Sequence, residues 1–477
     1  MWWIVLAAGV LVQLLGLWCA FDAVLYGRTP QGTIAWCMGL VVMPVVTVPL
    51  YLVLGARRFS GYVRARRKKR SALSRLGEAC NVALAPWMIR PGPFPDLALD
   101  RLGLTAPTGG NALELLVNGE ATFERILADI DRACEYVLIQ FFIFRDDALG
   151  KKFEEAIARA RGRGVRVCVL YDLVGTPRIA RLCESLKAQG AEVHAFGRSR
   201  GPITRFQINF RNHRKVVVID GHIAFVGGHN VGVEYLGQDK VLTPWRDTHM
   251  RMAGPAALAC QLAFCEDWHW AAGAVPDVKW KVLGVTAEDG ADPERARAEV
   301  LVCPTGPVDE LETLTIVLLS LLTRATRRIW LTTPYFAPDD AIMTALQLAA
   351  LRGVDVHILI PDKSDNPLVN AAAFTYVEEL MPAGVRFHRY GKGFLHQKVI
   401  LADDLAAVGS ANLDNRSLRI NFEIMAVTRD AGFVDGVQAM LETDLRNSRE
   451  VTPKDIQKRR WPQRLVSRLA RLLSPIL

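Results

Sequence analysis

The stretch YVLIQFFIFRDDALGKKFEEAIARARGRGVRVCVLYD, residues 136–172, reads as strand, helix, strand. Apolar runs starting at Tyr136 and ending at Asp172 flank the helical segment KKFEEAIARARGRG. The same order recurs as RIWLTTPYFAPDD from Arg328, a helical stretch to Gly353, and VDVHILIPD ending at Asp362. Such self-similarity points to internal duplication. Apolar strands alternating with amphipathic helices favour a sheet covered by helices on both faces, so the expected fold class is α/β, with two similar domains side by side.

A second repeated feature comes after each unit. HRKVVVIDGHIAFVGGHN carries His213, Lys215, Asp220, Gly227, Gly228 and Asn230, and HQKVILADDLAAVGSAN carries His396, Lys398, Asp403, Gly409, Ser410 and Asn412. Residues two apart on a strand share a face, so each His and Lys project together while the valines and isoleucines turn inward. That pairing suits phosphodiester chemistry: imidazole attacks phosphorus or protonates a leaving oxygen, and ammonium stabilises charge on the non-bridging oxygens. A lone His-x-Lys is an ordinary feature; two at matching places in a duplicated chain form a site.

These residues resemble the phospholipase D superfamily, whose motif is H-x-K-x4-D followed by a small-residue turn and Asn. The resemblance implies two phospholipase D-type domains, each a mixed sheet flanked by helices, with both motifs in one site. It implies no metal and no cofactor. It makes His213 the nucleophile, His396 the general acid and base, Lys215 and Lys398 phosphate-holding cations, and Asn230 and Asn412 substrate-binding donors. Asp220 and Asp403 brace the local loops; five residues separate Asp403 from Gly409 where six separate Asp220 from Gly227, which leaves Asp404 as an alternative brace. An imidazole of this kind needs its other nitrogen oriented, usually by a carboxylate. Asp247 in PWRDTHMRMAGP and Glu423 in LRINFEIM stand where similar proteins keep such acids, one for each histidine, with an ordinary salt bridge as the bland alternative.

Before the duplication lies an apolar region. Met1 to Phe21 and Thr33 to Leu54 each have the length to cross a bilayer, and Pro44 and Pro49 kink the second. Together they predict a transmembrane hairpin over 1–56. A cleaved signal peptide fits less well, because the first segment has no basic leader and no convincing cleavage site. Arg57, Arg58, Arg64, Arg66, Arg67, Lys68, Lys69 and Arg70 crowd the far end, which by the positive-inside rule puts the large duplicated region in the cytoplasm. This collar serves topology alone or also attracts anionic headgroups. Pro91, Pro93 and Pro95 through Gly109 and Gly110 read as a connection, completing a collar and linker over 57–110. The two duplicated domains then occupy 111–295 and 296–455, and an amphipathic tail 456–477.

A net charge of +9 favours an anionic partner without choosing lipid or nucleic acid. Nine scattered cysteines with no C-x-x-C pair point to a reducing compartment rather than a disulfide framework.

Resemblance to bacterial cardiolipin synthases extends nearly end to end, through GTIAWCMGLVVMPVVTVPLYLVLG, the collar, both motifs, GSANLDNRSLRINFEI and the short apolar C-terminus. It implies a multi-pass inner (cytoplasmic) membrane enzyme that transfers a phosphatidyl group from one phosphatidylglycerol to another, through a phosphohistidine, releasing glycerol. Its expected partners are phosphatidylglycerol and anionic membrane lipids, not nucleic acid. A membrane-bound phospholipase D, or a transferase to another alcohol, would use the same histidines. A nuclease leaves the membrane segments without a purpose, and a non-catalytic lipid-binding scaffold predicts erosion of a motif that is intact in both copies. The tail WPQRLVSRLARLLSPIL from Trp461 either lies against the bilayer or packs on the domain.

Overall fold

The computed structural model describes residues 2–27, 30–55, 70–89, 102, 105–197, 209–289 and 296–474. The first duplicate supplies β1 (Thr108–Val117), β2 (Tyr136–Phe141), β3 (Arg166–Asp172), β4 (Glu192–Phe196), β5 (Val216–Ile219), β6 (Ile223–Gly227) and β7 (Thr248–Ala253). The second supplies β8 (Ala298–Thr305), β9 (Arg328–Thr332), β10 (Asp355–Pro361), β11 (Arg386–Tyr390), β12 (Val399–Ala402), β13 (Leu405–Gly409) and β14 (Asn421–Thr428), with β15 (Ser448–Glu450) added at one edge. Pairing runs β4-β3-β2-β5-β6-β7-β1 through one copy and β11-β10-β9-β12-β13-β14-β8 through the other. The two orders are the same, and β1 pairs antiparallel with β8, so both sheets join into one.

Each copy is mixed, as expected: β2, β3 and β4 are parallel, as are β9, β10 and β11, and the remaining ladders between the strands named above are antiparallel. The crossover helices Ala148–Gly162 and Asp340–Leu351 begin alike. Asp147 accepts from the amides of Leu149 and Gly150, and Asp339 from that of Ile342, each satisfying donors that the first helical turn leaves free.

The core crosses the seam. Leu138, Leu170, Val218 and Met250 of the first copy lie in one apolar cluster with Leu401, Val408, Ile424 and Leu441 of the second. The helix Ala256–Ala272 is buried nearly throughout and fills the middle of that cluster. Asn111 ties the seam from β1: its amide donates to the carbonyls of Thr108 and Ala298, and its oxygen accepts from the amide of Ala256.

Part of the expected linker is structured. Arg70–Leu84 is a helix whose Leu73, Leu76, Cys80 and Leu84 join the shared core. Their spacing is that of an amphipathic helix, masked in the sequence by the basic run before it. Gly109 and Gly110 lie within β1 rather than in a connection. The register slips between Thr108 and Asn111, where Gly110 takes φ +76° and a Cβ would meet the Trp87 ring at 2.5 Å. A bulge explains the glycines. The collar from Arg57 to Lys69, and Pro91, Pro93 and Pro95, lie outside the described residues.

At the N-terminus, Trp2–Tyr26 is the one described helix long and apolar enough to cross a membrane. The second expected span is interrupted: Pro30–Val42 stops at Met43, and Pro44 starts a new helix to Leu50. Proline has no amide hydrogen to continue the helical ladder and is tolerated best where a helix starts. The segments still pack together. Gln13 donates to the Val41 carbonyl at 3.1 Å, the Tyr51 hydroxyl donates to Asp22 at 2.6 Å, and a Cβ on Gly16 would strike the Leu40 carbonyl.

Leu84 has no exposed surface, so Leu84→Ala should lower the unfolding free energy by about 2–5 kcal/mol. Denaturant unfolding of the full chain in detergent measures this; a change within error would mean the helix is a linker after all.

Candidate active site

Each motif begins where the chain leaves one half and touches the other. The two-residue strand Arg211–Asn212 pairs parallel with Asn421–Phe422 of β14, and the His213 amide donates to the Phe422 carbonyl at 2.9 Å. In the mirrored place, Phe394–Leu395 pairs parallel with Trp245–Arg246, and the His396 amide donates to the Arg246 carbonyl at 2.8 Å. The strands β5 and β12 therefore start one residue after each lysine, at Val216 and Val399, rather than at the histidines. The His-x-Lys tripeptides follow the short strands that pair across the seam and precede β5 and β12 of their own halves.

This crossing exchanges the acids. Nδ1 of His213 lies 2.9 Å from Oε2 and 3.0 Å from Oε1 of Glu423, on the second half. Nδ1 of His396 lies 2.6 Å from Oδ2 of Asp247, on the first. Both acids that the sequence singled out are thus at the site, each serving the histidine of the opposite copy. With Nδ1 so engaged, Nε2 is the nitrogen left for chemistry.

The two supports differ in detail. Glu423 also accepts from the hydroxyls of Ser410 (2.5 Å) and Ser417 (2.8 Å) and from the Asn421 amide (3.2 Å). Asp247 accepts from the Thr248 amide at 2.8 Å. At the position matching Ser410 stands Gly228, where a Cβ would lie 2.1 Å from Oδ1 of Asp247. One small residue is thus a donor, and the other makes room.

Burial pushes His213 down to about 4 against the pull of Glu423, and His396 down to about 3, helped by the adjacent Lys398. Both imidazoles are therefore neutral at neutral pH before an anion arrives. Burial opposes ionisation of Glu423 and Asp247 too, yet both are held below the usual carboxylate range. His213 and Lys215 do this for Glu423; His229, Lys398 and His396 do it for Asp247. Burial brings Lys398 down to about 8 and Lys215 well below its ordinary value. His213 feels Lys398 and His396 feels Lys215, so the motifs share one electrostatic site.

The lysines sit differently. Lys215 Nζ donates to the His213 carbonyl at 2.7 Å beside the Phe142 ring. Lys398 Nζ bonds the His396 carbonyl and stands 2.9 and 3.1 Å from the two His396 ring nitrogens. Trp245 and Phe394 pack on His396 with centroids at 5.0 and 5.7 Å, and Phe142 packs on His213 at 5.1 Å.

Asp220 and Asp403 occupy matching turns, both at φ 52°. Asp220 accepts from the amides of Cys134, Glu135 and Tyr136, and Asp403 from those of Thr326, Arg327 and Arg328, all within 2.8–2.9 Å. Asp404 instead pairs with Arg324 and Arg429, so Asp403 is the brace. The altered spacing is a turn one residue shorter: Ala402 faces Leu405, where Ile219 faces Ile223. Asn230 accepts from the Ile143 amide and donates to the Tyr235 hydroxyl at 2.9 Å. The Asn412 backbone amide donates to the Ser417 hydroxyl, while its buried Oδ1 accepts nothing among the described residues.

Several supports were not foreseen. Arg214, between His213 and Lys215, donates to the Glu423 and Thr305 carbonyls and to Asp267 at 2.9 Å. Gln397, its counterpart, donates to Asp444 and accepts from the Thr248 hydroxyl. Arg246 makes a two-pronged pair with Asp444, both bonds 2.8 Å. The signal available was a polar residue at the middle position of both motifs, beside strands that are otherwise buried.

Two intact His-x-Lys motifs meeting at the seam of a duplicated α/β sheet define an enzyme of the phospholipase D type, acting on a phosphodiester. The family described as "Cardiolipin synthase, PLD-like domain" matches residues 126–240 and 318–445, and that described as "Phospholipase_D-nuclease N-terminal" matches 14–55. Cardiolipin synthase A of Pseudomonas aeruginosa is 46% identical over 98% of this chain and 95% of its own, and that of Pseudomonas putida strain F1 is 44% identical over 98% and 97%. The chain belongs to the bacterial cardiolipin synthases of the phospholipase D superfamily. The fold also matches a crystal structure of phosphatidylserine synthase from Haemophilus influenzae, with TM-score 0.56 and 17% identity, covering 76% of this chain and 95% of that one.

Asp403→Ala should lose about 1–3 kcal/mol of stability through stranded amides, while Asp404→Ala, which loses only half-exposed ion pairs, should lose under about 1 kcal/mol. Unfolding curves compare them. Glu423→Gln and Asp247→Asn should each slow overall turnover about 10–100-fold in folded protein. Steady-state rates beside an unfolding curve read this; turnover within about two-fold of the parent in either variant would undo the orienting role of that acid.

Proposed function

We propose that the chain joins two phosphatidylglycerol molecules into cardiolipin. In the first step Nε2 of His213 bonds to the phosphorus of one phosphatidylglycerol, the bond to the glycerol headgroup oxygen breaks, and His396, which takes up a proton at Nε2 as the anionic phosphodiester enters, gives that oxygen this proton. In the second, the terminal hydroxyl of another phosphatidylglycerol gives its proton to His396 and attacks phosphorus, and the bond to His213 breaks. Cardiolipin and glycerol leave, and the enzyme is restored. One phosphodiester replaces another, so no nucleotide is consumed.

The observation that carries this reading is the crossed pair of carboxylates: each engages Nδ1 of the histidine from the opposite half and leaves Nε2 for chemistry at the seam. The assignment of His213 as nucleophile and His396 as acid and base is carried over from the family resemblance. Lys215 and Lys398 hold the phosphate oxygens, and Asn230 and Asn412 complete the turns that close the pocket. A protein-lined site keeps water from the intermediate and favours transfer over hydrolysis.

The family relationship supports a membrane setting. In this reading Trp2–Tyr26 and the interrupted helices from Pro30 to Gly55 form a hairpin, and the basic run after it keeps the catalytic halves in the cytoplasm.

Purified protein given labelled phosphatidylglycerol alone should yield cardiolipin and glycerol in equal amounts; phosphatidic acid as the sole product would make it a hydrolase. His213→Ala should form no covalent lipid adduct. His396→Ala should form it slowly and fail to discharge it, and the reverse pattern would exchange the two roles.

A further inference from the structure

The helix Trp461–Leu472 is mounted with its apolar side outward. Trp461, Leu465, Leu469 and Leu472 succeed one another at intervals of four, four and three residues, which places them on one stripe, and Val466 and Leu473 widen it. All six are exposed, Trp461 and Leu472 at 74% and the others between 41% and 53%. A surface helix of a globular protein ordinarily buries that stripe.

The side that faces the domain instead is small and polar. Ser467 and Ala470 are the buried residues of the helix, which packs on Pro367–Leu380. Arg471 lies over the Tyr376 ring and pairs with Glu379, and the Tyr376 hydroxyl donates to Ser474 at 2.9 Å. Just before the helix, Arg459 stacks on Phe374 at 3.9 Å and donates to Ser467. These contacts fix the helix in rotation, so the outward stripe is held in place.

Charge selects the occupant. Arg464 and Arg468 are exposed, Arg468 beside the stripe, and the run from Gln457 onward holds Lys458, Arg459, Arg460, Arg464, Arg468 and Arg471 with no acidic side chain. A second copy of this helix would bring arginines against arginines. An anionic lipid surface meets both features, taking the stripe among acyl chains and the guanidinium groups at the phosphates. We propose that Trp461–Leu473 is a second membrane contact, which holds the catalytic body down on an anionic bilayer independently of the N-terminal segments. Such a contact is separate from the phosphatidyl transfer itself.

The test uses the full chain in vesicles of phosphatidylethanolamine and phosphatidylglycerol carrying a trace of photoactivatable phosphatidylglycerol. Lipid adducts should map to Trp461–Leu473 as well as to Trp2–Tyr26. In Leu465→Glu/Leu469→Glu the adducts at the tail should fall about five-fold or more while those at Trp2–Tyr26 persist. Transfer on bilayer substrate should fall several-fold with them, and turnover of short-chain phosphatidylglycerol dispersed below its micelle threshold should stay within about two-fold of the parent. Adducts confined to Trp2–Tyr26 would overturn the proposal. So would an equal loss on both substrates, which marks a structural role, or a dimer that the double variant dissociates. Failure of the parent to make cardiolipin on either substrate would count against the reaction and leave the adduct map to decide the contact.

Discussion

Two buried carboxylate–imidazole hydrogen bonds that cross between halves, His213 with Glu423 and His396 with Asp247, set the terms for everything around them. A carboxylate and an imidazole taken out of water each lose solvation, and that loss is offset only when partners are placed closely and the remaining lone pairs are occupied. The fold provides this at the seam. Arg211–Asn212 and Phe394–Leu395 pair with the strands that carry the opposite acids, so backbone ladders, rather than flexible side chains, fix each histidine. The fused sheet and the core beneath it make that registration permanent.

Duplication gave two similar halves, and the differences between them fit the division of labour proposed for the two histidines. Glu423 is surrounded by hydroxyl donors, Asp247 by a backbone amide and the space that Gly228 leaves. Arg214 ties one motif to Asp267 within its own half, whereas Asp444 in the other half draws its arginine, Arg246, from across the seam. A nucleophile and an acid that faced each other in identical surroundings would titrate alike; unequal neighbours separate their roles.

Much of this was legible in the chain. The repeated apolar runs marked β2, β3, β9 and β10, because buried parallel strands read as continuous hydrophobic stretches. The motif residues were visible because their positions repeat, and both orienting acids because they stand where similar proteins keep them. Less was legible where the cause is tertiary. Nothing local to His213 says that its acid lies on β14, and the helix Arg70–Leu84 was hidden by the basic residues before it. The shorter turn after Asp403 left two candidate braces, which only the backbone amides of Thr326, Arg327 and Arg328 distinguish. The tail's pattern was clear, but which side it turns outward depends on Phe374, Tyr376 and Glu379, far from it in sequence.

The position of Glu423 near the end of the chain also imposes an order in time. While the ribosome is still making the second half, His213 exists without the carboxylate that orients it, and Asp247 waits for a histidine not yet translated. A first half that folds ahead of the second therefore holds a histidine without its acid and an acid without its histidine. Competence at the seam arrives only once β14 is in place, so neither copy is a working enzyme by itself.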